Sequence, residues 1–233
     1  MGGGFGLSKM NSNSILHPTV KIFHEGEVRN SIIGEDSFVG EHSRVRNCEI
    51  AHHVKIDRNN LLQNVRMGKC SYTGPFDMIF NSEIGAYTSI SYGCTIGPPE
   101  HKYTRPSTHP FIYDEYYGIF EKKQLLHNDK FDKSLRIGND VWIGCNSTIL
   151  RGVIIADGAI VGANSLVKHD VPAYAIVVGN PAKIIKYRFS TDIIKLLQEI
   201  KWWEWPQDKI RQYADFFTSE LSVDKLLQIK KTL

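Results

Sequence analysis

Aliphatic residues recur at every sixth position in the C-terminal half of the chain, at Ile137, Ile143, Ile149, Ile155, Val161 and Val167. A small residue often follows, as at Gly138, Gly144, Ala156 and Gly162. The same period runs earlier in other phases: Ile33, Val39 and Val45; then Ile50, Ile56 and Leu62; then Ile84, Ile90 and Ile96. A period of six fits neither a helix at 3.6 nor an alternating strand at two. It fits a short strand followed by a tight corner, repeated. The aliphatic side chain points inward, and Gly, Asn or Asp at the corner tolerates positive φ. Three such units close one triangular coil of about 18 residues, and stacked coils make a parallel β-solenoid of roughly six to eight turns. The changes of phase imply insertions or deletions between coils.

The period vanishes between Gly97 and Arg136. This inserted loop, 98–135, carries Pro98-Pro99, His101, His109-Pro110 and the aromatics Phe111, Tyr113, Tyr116, Tyr117 and Phe120. A loop of this length within a compact repeat is usually functional or disordered, and the aromatic content argues against disorder. Beyond Val167, Gly179-Asn180-Pro181-Ala182-Lys183 forms a corner and the composition changes. Ser190 or Thr191 is an N-cap for a helix with Ile193, Leu196, Leu197 and Ile200 on one face, ended by Trp202-Trp203-Glu204-Trp205-Pro206. A second short helix follows through Ile210, Tyr213, Ala214 and Phe217. Their apolar face is expected to cap one end of the solenoid. The expected division is a flexible extension over 1–18, a solenoid over 19–185 and a helical segment over 186–233.

Length and charge narrow the function. The chain has 233 residues with 42% apolar and 23% charged positions, ordinary globular usage. The net charge of +3 is too small to argue for nucleic acid, and no run reaches the roughly 20 apolar residues of a membrane span. Cys48, Cys70, Cys94 and Cys145 lie far apart without a CxxC pair, so neither a disulfide framework nor a zinc knuckle is expected. A reduced, cytoplasmic chain without a secretory leader is the expectation.

Three pieces of sequence carry a resemblance. They are Ile84-Gly85 through Ile96-Gly97 and Glu100-His101, followed by Ser107-Thr108-His109-Pro110-Phe111; Ile137-Gly138-Asn139-Asp140-Val141-Trp142-Ile143-Gly144; and Asp170-Val171-Pro172 leading to Gly179-Asn180-Pro181-Ala182-Lys183. Together with the Trp-Trp-x-Trp-Pro run at 202–206, they make the chain similar to the hexapeptide-repeat acyltransferases. Within these it resembles the branch of streptogramin and xenobiotic acetyltransferases and sugar O-acetyltransferases. The resemblance covers about residues 30 to 217. It implies a mainly β fold, a left-handed parallel β-helix with a long inserted loop and C-terminal α-helices. It also implies acetyl-CoA as co-substrate and a cyclic homotrimer as the assembly.

Acyl transfer to a hydroxyl needs a base, donors near the developing oxyanion and two substrates held in attack geometry. By the family's spacing, 16 residues beyond Gly85 at the root of the loop, His101 is the catalytic base; histidine ordinarily titrates near 6.5, which suits the task. His109 competes for the role but falls where relatives carry an aromatic, and reads as a substrate-side or loop-packing residue. Glu100 departs from the family, which commonly places Asn before this His. The resemblance assigns Lys183 and Lys186 to the CoA phosphates. It sets Cys145, Ala163, Lys168 and His169 along the pantetheine groove, with the amides of Cys145 and Ala163 as contacts. It places Tyr72, Asp77 and Asn81 where relatives meet the acceptor. His42, His52 and His53 lack the His-x4-His pair of the γ-type carbonic anhydrases that share this fold, so no metal is expected.

The implied activity is acetyl transfer from acetyl-CoA to a hydroxyl of a sugar or polysaccharide precursor. An amino-sugar nitrogen or an antibiotic hydroxyl is the alternative acceptor. A non-catalytic β-solenoid that binds or braces is the alternative class, distinguished by needing neither the His101 loop nor the Lys183 corner.

Overall fold

In the computed structural model, residues 13–126 and 133–232 are described. Short parallel strands stack into a triangular solenoid, as the period of six predicts. The strands at Lys21–Ile22, Phe38–Val39, Lys55–Ile56, Tyr72–Thr73, Ser89–Ile90, Trp142–Ile143, Ile160–Val161 and Ala175–Val178 form eight parallel rungs of a nine-stranded sheet. The other two faces belong to a twelve-stranded sheet, where Met78–Ile84 runs through a corner and joins both. In every rung but one an aliphatic points inward, Thr73 being the exception, and the column Ile22, Val39, Ile56, Thr73, Ile90, Ile143, Val161, Val177 lies in register. Val39, Ile56, Ile90, Ile143 and Val161 are wholly buried. Each such burial stabilises the stack by about 1.5–3 kcal/mol.

The phase changes have one cause. Before the loop, successive rungs lie 17 residues apart rather than 18, as in Ile33↔Ile50 and Val28↔Val45. The missing residue is always at the same corner, which turns on Asn30, Asn47, Asn64 or Asn81 at φ between 44° and 56°. Asparagine visits this left-handed region more readily than most residues. The four side chains also form a ladder: the amides of Asn30, Asn47 and Asn64 donate to the next rung's Oδ1 at 3.3, 3.1 and 2.6 Å. Asn64→Ala removes two ladder bonds and places a Cβ residue without local hydrogen bonding at positive φ. It should destabilise the fold by about 2 kcal/mol, a fall in Tm of roughly 4–8 °C by calorimetry.

The solenoid starts earlier than position 19: Ile15–Leu16 already pairs with Ile32–Ile33. Of the expected extension, 1–12 lies outside the described residues, as does 127–132 of the loop. At the far end Lys183–Tyr187 pairs antiparallel with Ala175–Val178. That reversal explains a difference from expectation in the C-terminal segment. Helices α1 (Thr191–Ile200), α2 (Gln207–Gln212), α3 (Ala214–Thr218) and α4 (Val223–Lys231) do not sit over the end. The reversed chain carries them back along one edge, where Trp202 packs on Tyr87 with ring centroids 4.8 Å apart and Lys69 Nζ donates to the Trp205 carbonyl at 3.0 Å. Their core joins Leu196, Leu197, Ile200, Trp205, Phe216, Leu226 and Ile229 to Tyr174 of the solenoid. Of the two expected residues, Ser190 stands at the N-cap position of α1, without a side-chain capping bond; α4, whose N-cap hydroxyl on Ser222 accepts from the Lys225 amide, is an addition. Among the described residues no helix is long and apolar enough to cross a membrane.

Candidate active site

The loop carrying His101 leaves the solenoid after Thr95–Ile96 and returns at Leu135–Ile137. Both strands pair with Met78–Ile84, so the loop emerges directly above the Asn81 corner. Its root is clamped. The buried Arg151 donates from Nε to the Pro98 carbonyl at 2.6 Å and from Nη2 to the Gly97 carbonyl at 2.7 Å. Glu100 reaches across the mouth of the loop to Lys133 Nζ at 3.6 Å. Gly97, at φ 67°, could not carry a Cβ, which would lie 2.3 Å from the Phe80 carbonyl oxygen.

His101 is exposed, and its Nδ1 lies 2.6 Å from the Thr108 carbonyl oxygen. A carbonyl only accepts, so Nδ1 donates to it, and in the neutral imidazole the lone pair is then on Nε2. The backbone therefore fixes both the tautomer and the ring plane of a side chain that could take a proton from an incoming nucleophile. His109 is engaged differently. Its Nδ1 accepts from the Phe111 amide at 3.2 Å, capping the turn Pro110–Ile112, and its ring packs on Tyr117 and Phe111 with centroids 4.7 and 5.7 Å away. It holds the loop's aromatic cluster together.

Cys145 and Ala163 occupy a second corner. Stacking there is explicit: the Asn146 amide donates to the Tyr92 carbonyl at 3.0 Å and the Asn164 amide to the Cys145 carbonyl at 2.9 Å. The turn after Val178 closes the same corner, with the Gly179 amide on Ser165 Oγ at 3.1 Å and the Ala182 amide on the Leu166 carbonyl at 2.8 Å. Lys183 follows and is exposed, as is Lys186. So Cys145, Ala163 and the Lys183 turn lie along one edge of the triangle. Lys168 and His169 are exposed at the next corner, across the Leu166–Val167 strand.

The three residues expected at the acceptor do not converge. Tyr72 faces outward on the nine-stranded sheet, half exposed. Asn81 ends the asparagine ladder below the loop root. Asp77 is a correction to its expected acceptor contact: it is wholly buried and points into the solenoid, where Oδ1 accepts the Cys94 amide at 2.6 Å. Burial pushes its carboxyl up to about 8, against the Cys94 amide and with the help of the Asp57 charge. Tyr72 lies in its strand with the side chain outward, whereas Asp77 lies just past the Phe76 corner, where the chain turns it into the solenoid. Burial also raises the Cys94 thiol, to about 12, so that cysteine is an inert filler. His42 pairs with Glu25 at 2.9 Å, and His53 lies 3.8 Å from Asp36; among the described residues no group of three side chains could hold a metal ion.

Sequence reasoning missed Arg151, a repeat-corner arginine without a motif to mark it. It also missed a cavity of about 460 Å³ under the helices, bordered by Asp140, Tyr174, Arg188, Trp202 and Phe216. That cavity shares no residue with the His101 loop or the Cys145 edge.

The family model for "Bacterial transferase hexapeptide (six repeats)" matches residues 134–169. The chain is 43% identical over 133 residues to a chloramphenicol acetyltransferase of Morganella morganii, covering 55% of this chain and 61% of that one. It is 38% identical over 148 residues to a probable macrolide acetyltransferase of Lysinibacillus sphaericus, covering 62% of this chain and 81% of that one. It is 36% identical over 102 residues to a putative lipopolysaccharide biosynthesis O-acetyl transferase of Escherichia coli strain K12, covering 40% and 48%. The chain thus spans somewhat under two thirds of the length of the chloramphenicol acetyltransferase. With a solenoid of hexapeptide rungs and 81% of the macrolide relative covered, this chain belongs to the hexapeptide-repeat acetyltransferase family.

Proposed function

We propose that the protein transfers an acetyl group from acetyl-CoA to a hydroxyl of a sugar or polysaccharide precursor, with His101 as general base. The observation that carries this reading is the 2.6 Å contact between His101 Nδ1 and the Thr108 carbonyl oxygen, which leaves Nε2 able to accept a proton. The acceptor oxygen then attacks the thioester carbonyl while its proton moves to Nε2. The tetrahedral intermediate collapses with loss of the CoA thiolate, which takes the proton back from the imidazolium. Antibiotic hydroxyls form a second reading, supported by the names of the chloramphenicol and macrolide relatives.

The Cys145–Ala163–Lys183 edge supports a role in holding acetyl-CoA. Cationic side chains at its end suit the phosphates, and a groove of stacked amides suits the pantetheine arm. The His101 loop leaves from a different corner, so we assign the complete site to the seam between two copies in a cyclic trimer. Sedimentation showing an active monomer would overturn that assembly. Lys183→Glu should raise the Michaelis constant for acetyl-CoA several-fold and leave turnover at saturation unchanged. The same constant should rise with salt in the wild type as phosphate contacts are screened. An unchanged constant in the variant removes Lys183 from the site.

The test of the whole reading is thiol release from acetyl-CoA against a panel of neutral sugars, chloramphenicol and a macrolide. Acceptor-dependent release with any of them supports it; release with none, at millimolar acceptor, overturns it.

A further inference from the structure

The corner that carries Cys145 and Ala163 turns at each rung through a residue of positive φ. The occupants include His42, Asn59, Phe76, Gly93, Asn146 and Asn164. Gly and Asn suit this conformation, whereas a bulky aromatic is an outlier there. Two other aromatics of the solenoid adopt it, and packing compensates both. Tyr87, at φ 57°, rests against Trp202, and Tyr174, at φ 58°, is 1% exposed in the helix-capped core. Phe76, at φ 66°, is 59% exposed. It bears the same strain without the burial that would offset it. Strained backbone that the surrounding structure holds in place clusters at active sites and ligand-binding positions.

Its place in the stack says which ligand. The Phe76 amide donates to the Arg58 carbonyl at 3.2 Å, and the Gly93 amide to the Pro75 carbonyl at 3.0 Å. With the Tyr92 and Cys145 links, these bonds put Pro75-Phe76, Tyr92, Cys145 and Ala163 on consecutive rungs of one edge. Tyr92 is 51% exposed, and its carbonyl accepts from the Asn146 amide on the Cys145 rung at 3.0 Å. At the same corner position Gly93 stands between Phe76 and Asn146, and a Cβ there would lie 2.4 Å from Asn146 Oδ1, so only glycine leaves room for the Asn146 side chain. An exposed aromatic step therefore continues the proposed cofactor edge by two rungs.

We propose that Phe76 and Tyr92 are the acceptor platform, a surface on which a neutral, ring-bearing alcohol lies with its hydroxyl toward the thioester end of acetyl-CoA. This rests on the transferase reading above. An aromatic ring or the C–H face of a pyranose gains contact with the two rings, while a ringless polyol or an anionic acceptor gains little. In the transfer the acceptor oxygen bonds to the acetyl carbon, the C–S bond breaks, and the acceptor proton ends on the CoA sulfur.

The test is Phe76→Asn, which installs the residue that Asn59 and Asn146 already use at this corner. The variant should be more stable, with Tm higher by roughly 2–4 °C as strain is relieved. Its Michaelis constants for chloramphenicol and p-nitrophenyl glucoside, whichever turns over, should rise about tenfold, the loss of one ring contact. Acetyl-CoA affinity by calorimetry should stay unchanged. Tyr92→Leu should raise the same two acceptor constants. A merely structural Phe76 would raise Tm without moving them, and that result overturns the platform. Wild-type failure to use either ring-bearing probe while still binding acetyl-CoA also overturns it. Failure of the wild type to bind acetyl-CoA overturns the transferase reading itself.

Discussion

His101→Ala should lower turnover by about 10²–10⁴-fold, the usual loss on removing a positioned general base, while acetyl-CoA affinity stays unchanged. The size follows from how the imidazole is held. A histidine free to rotate would spend much of its time in the wrong tautomer or orientation. Here the Thr108 carbonyl accepts a hydrogen bond from Nδ1, and Arg151 pins the Gly97 and Pro98 carbonyls at the base of the same loop. Alanine removes the proton acceptor and its bond to the Thr108 carbonyl but leaves both Arg151 bonds of the loop root in place. The effect should therefore fall on the chemical step, visible as kcat in the thiol-release assay, with calorimetric binding of acetyl-CoA as the control. His109→Ala should behave differently. Its ring packs on Phe111 and Tyr117 and caps the turn at Pro110–Ile112, so its loss loosens the loop and should act mainly through the acceptor Michaelis constant. If His109→Ala abolishes turnover and His101→Ala does not, the base is the other histidine.

The solenoid was legible because its signal is repeated: each inward aliphatic is one period from the next, and a run of them excludes other architectures. The asymmetry between its halves was less legible. Asn30, Asn47, Asn64 and Asn81 lie at a constant spacing of 17, yet without coordinates a missing residue per coil reads as scattered deletions. The error at Asp77 has the same origin. Placing it by resemblance ignored whether the position faces in or out, and the inner stack Ser43, Asn60, Asp77, Cys94 becomes visible only once the 17-residue coil is known. The two ends of the loop were legible as sequence breaks. The contact of His101 with Thr108 was not, because nothing periodic links residues across an irregular loop. The helices were legible by their apolar faces, but their position along an edge depends on the antiparallel turn at Lys183–Tyr187, a single reversal without a sequence period.

Asp77→Asn should remove a pH dependence of stability that the wild type shows between about pH 4 and about pH 8. Inside the corner, each rung's side chain satisfies the amide of the next: Ser43 Oγ accepts from the Asn60 amide at 3.0 Å, Asn60 Oδ1 from the Asp77 amide at 2.6 Å, and Asp77 Oδ1 from the Cys94 amide at 2.6 Å. Asn60 also donates from Nδ2 to the Asp57 and Gly74 carbonyls at 2.9 and 2.8 Å. Asp77 has no counterpart to those bonds; its Oδ2 is buried without a partner. Desolvation there favours the protonated acid and pushes the carboxyl up to about 8, whereas in an unfolded chain an aspartate titrates near 3.9. Between those values the folded protein holds a proton that the unfolded chain has released. Stability therefore falls as pH rises, by up to about 1.4 kcal/mol per unit, and levels off above about 8. Asparagine keeps the oxygen that accepts the Cys94 amide and does not titrate. The wild-type Tm, relative to that of Asp77→Asn, should drop by roughly 5–10 °C between pH 5 and pH 7. Subtracting one melting profile from the other cancels the histidines and surface carboxylates common to both proteins. Parallel Tm curves for the two would mean that Asp77 carries no proton in the folded core, and the buried stack would then have to hold a carboxylate that the geometry gives no means to compensate.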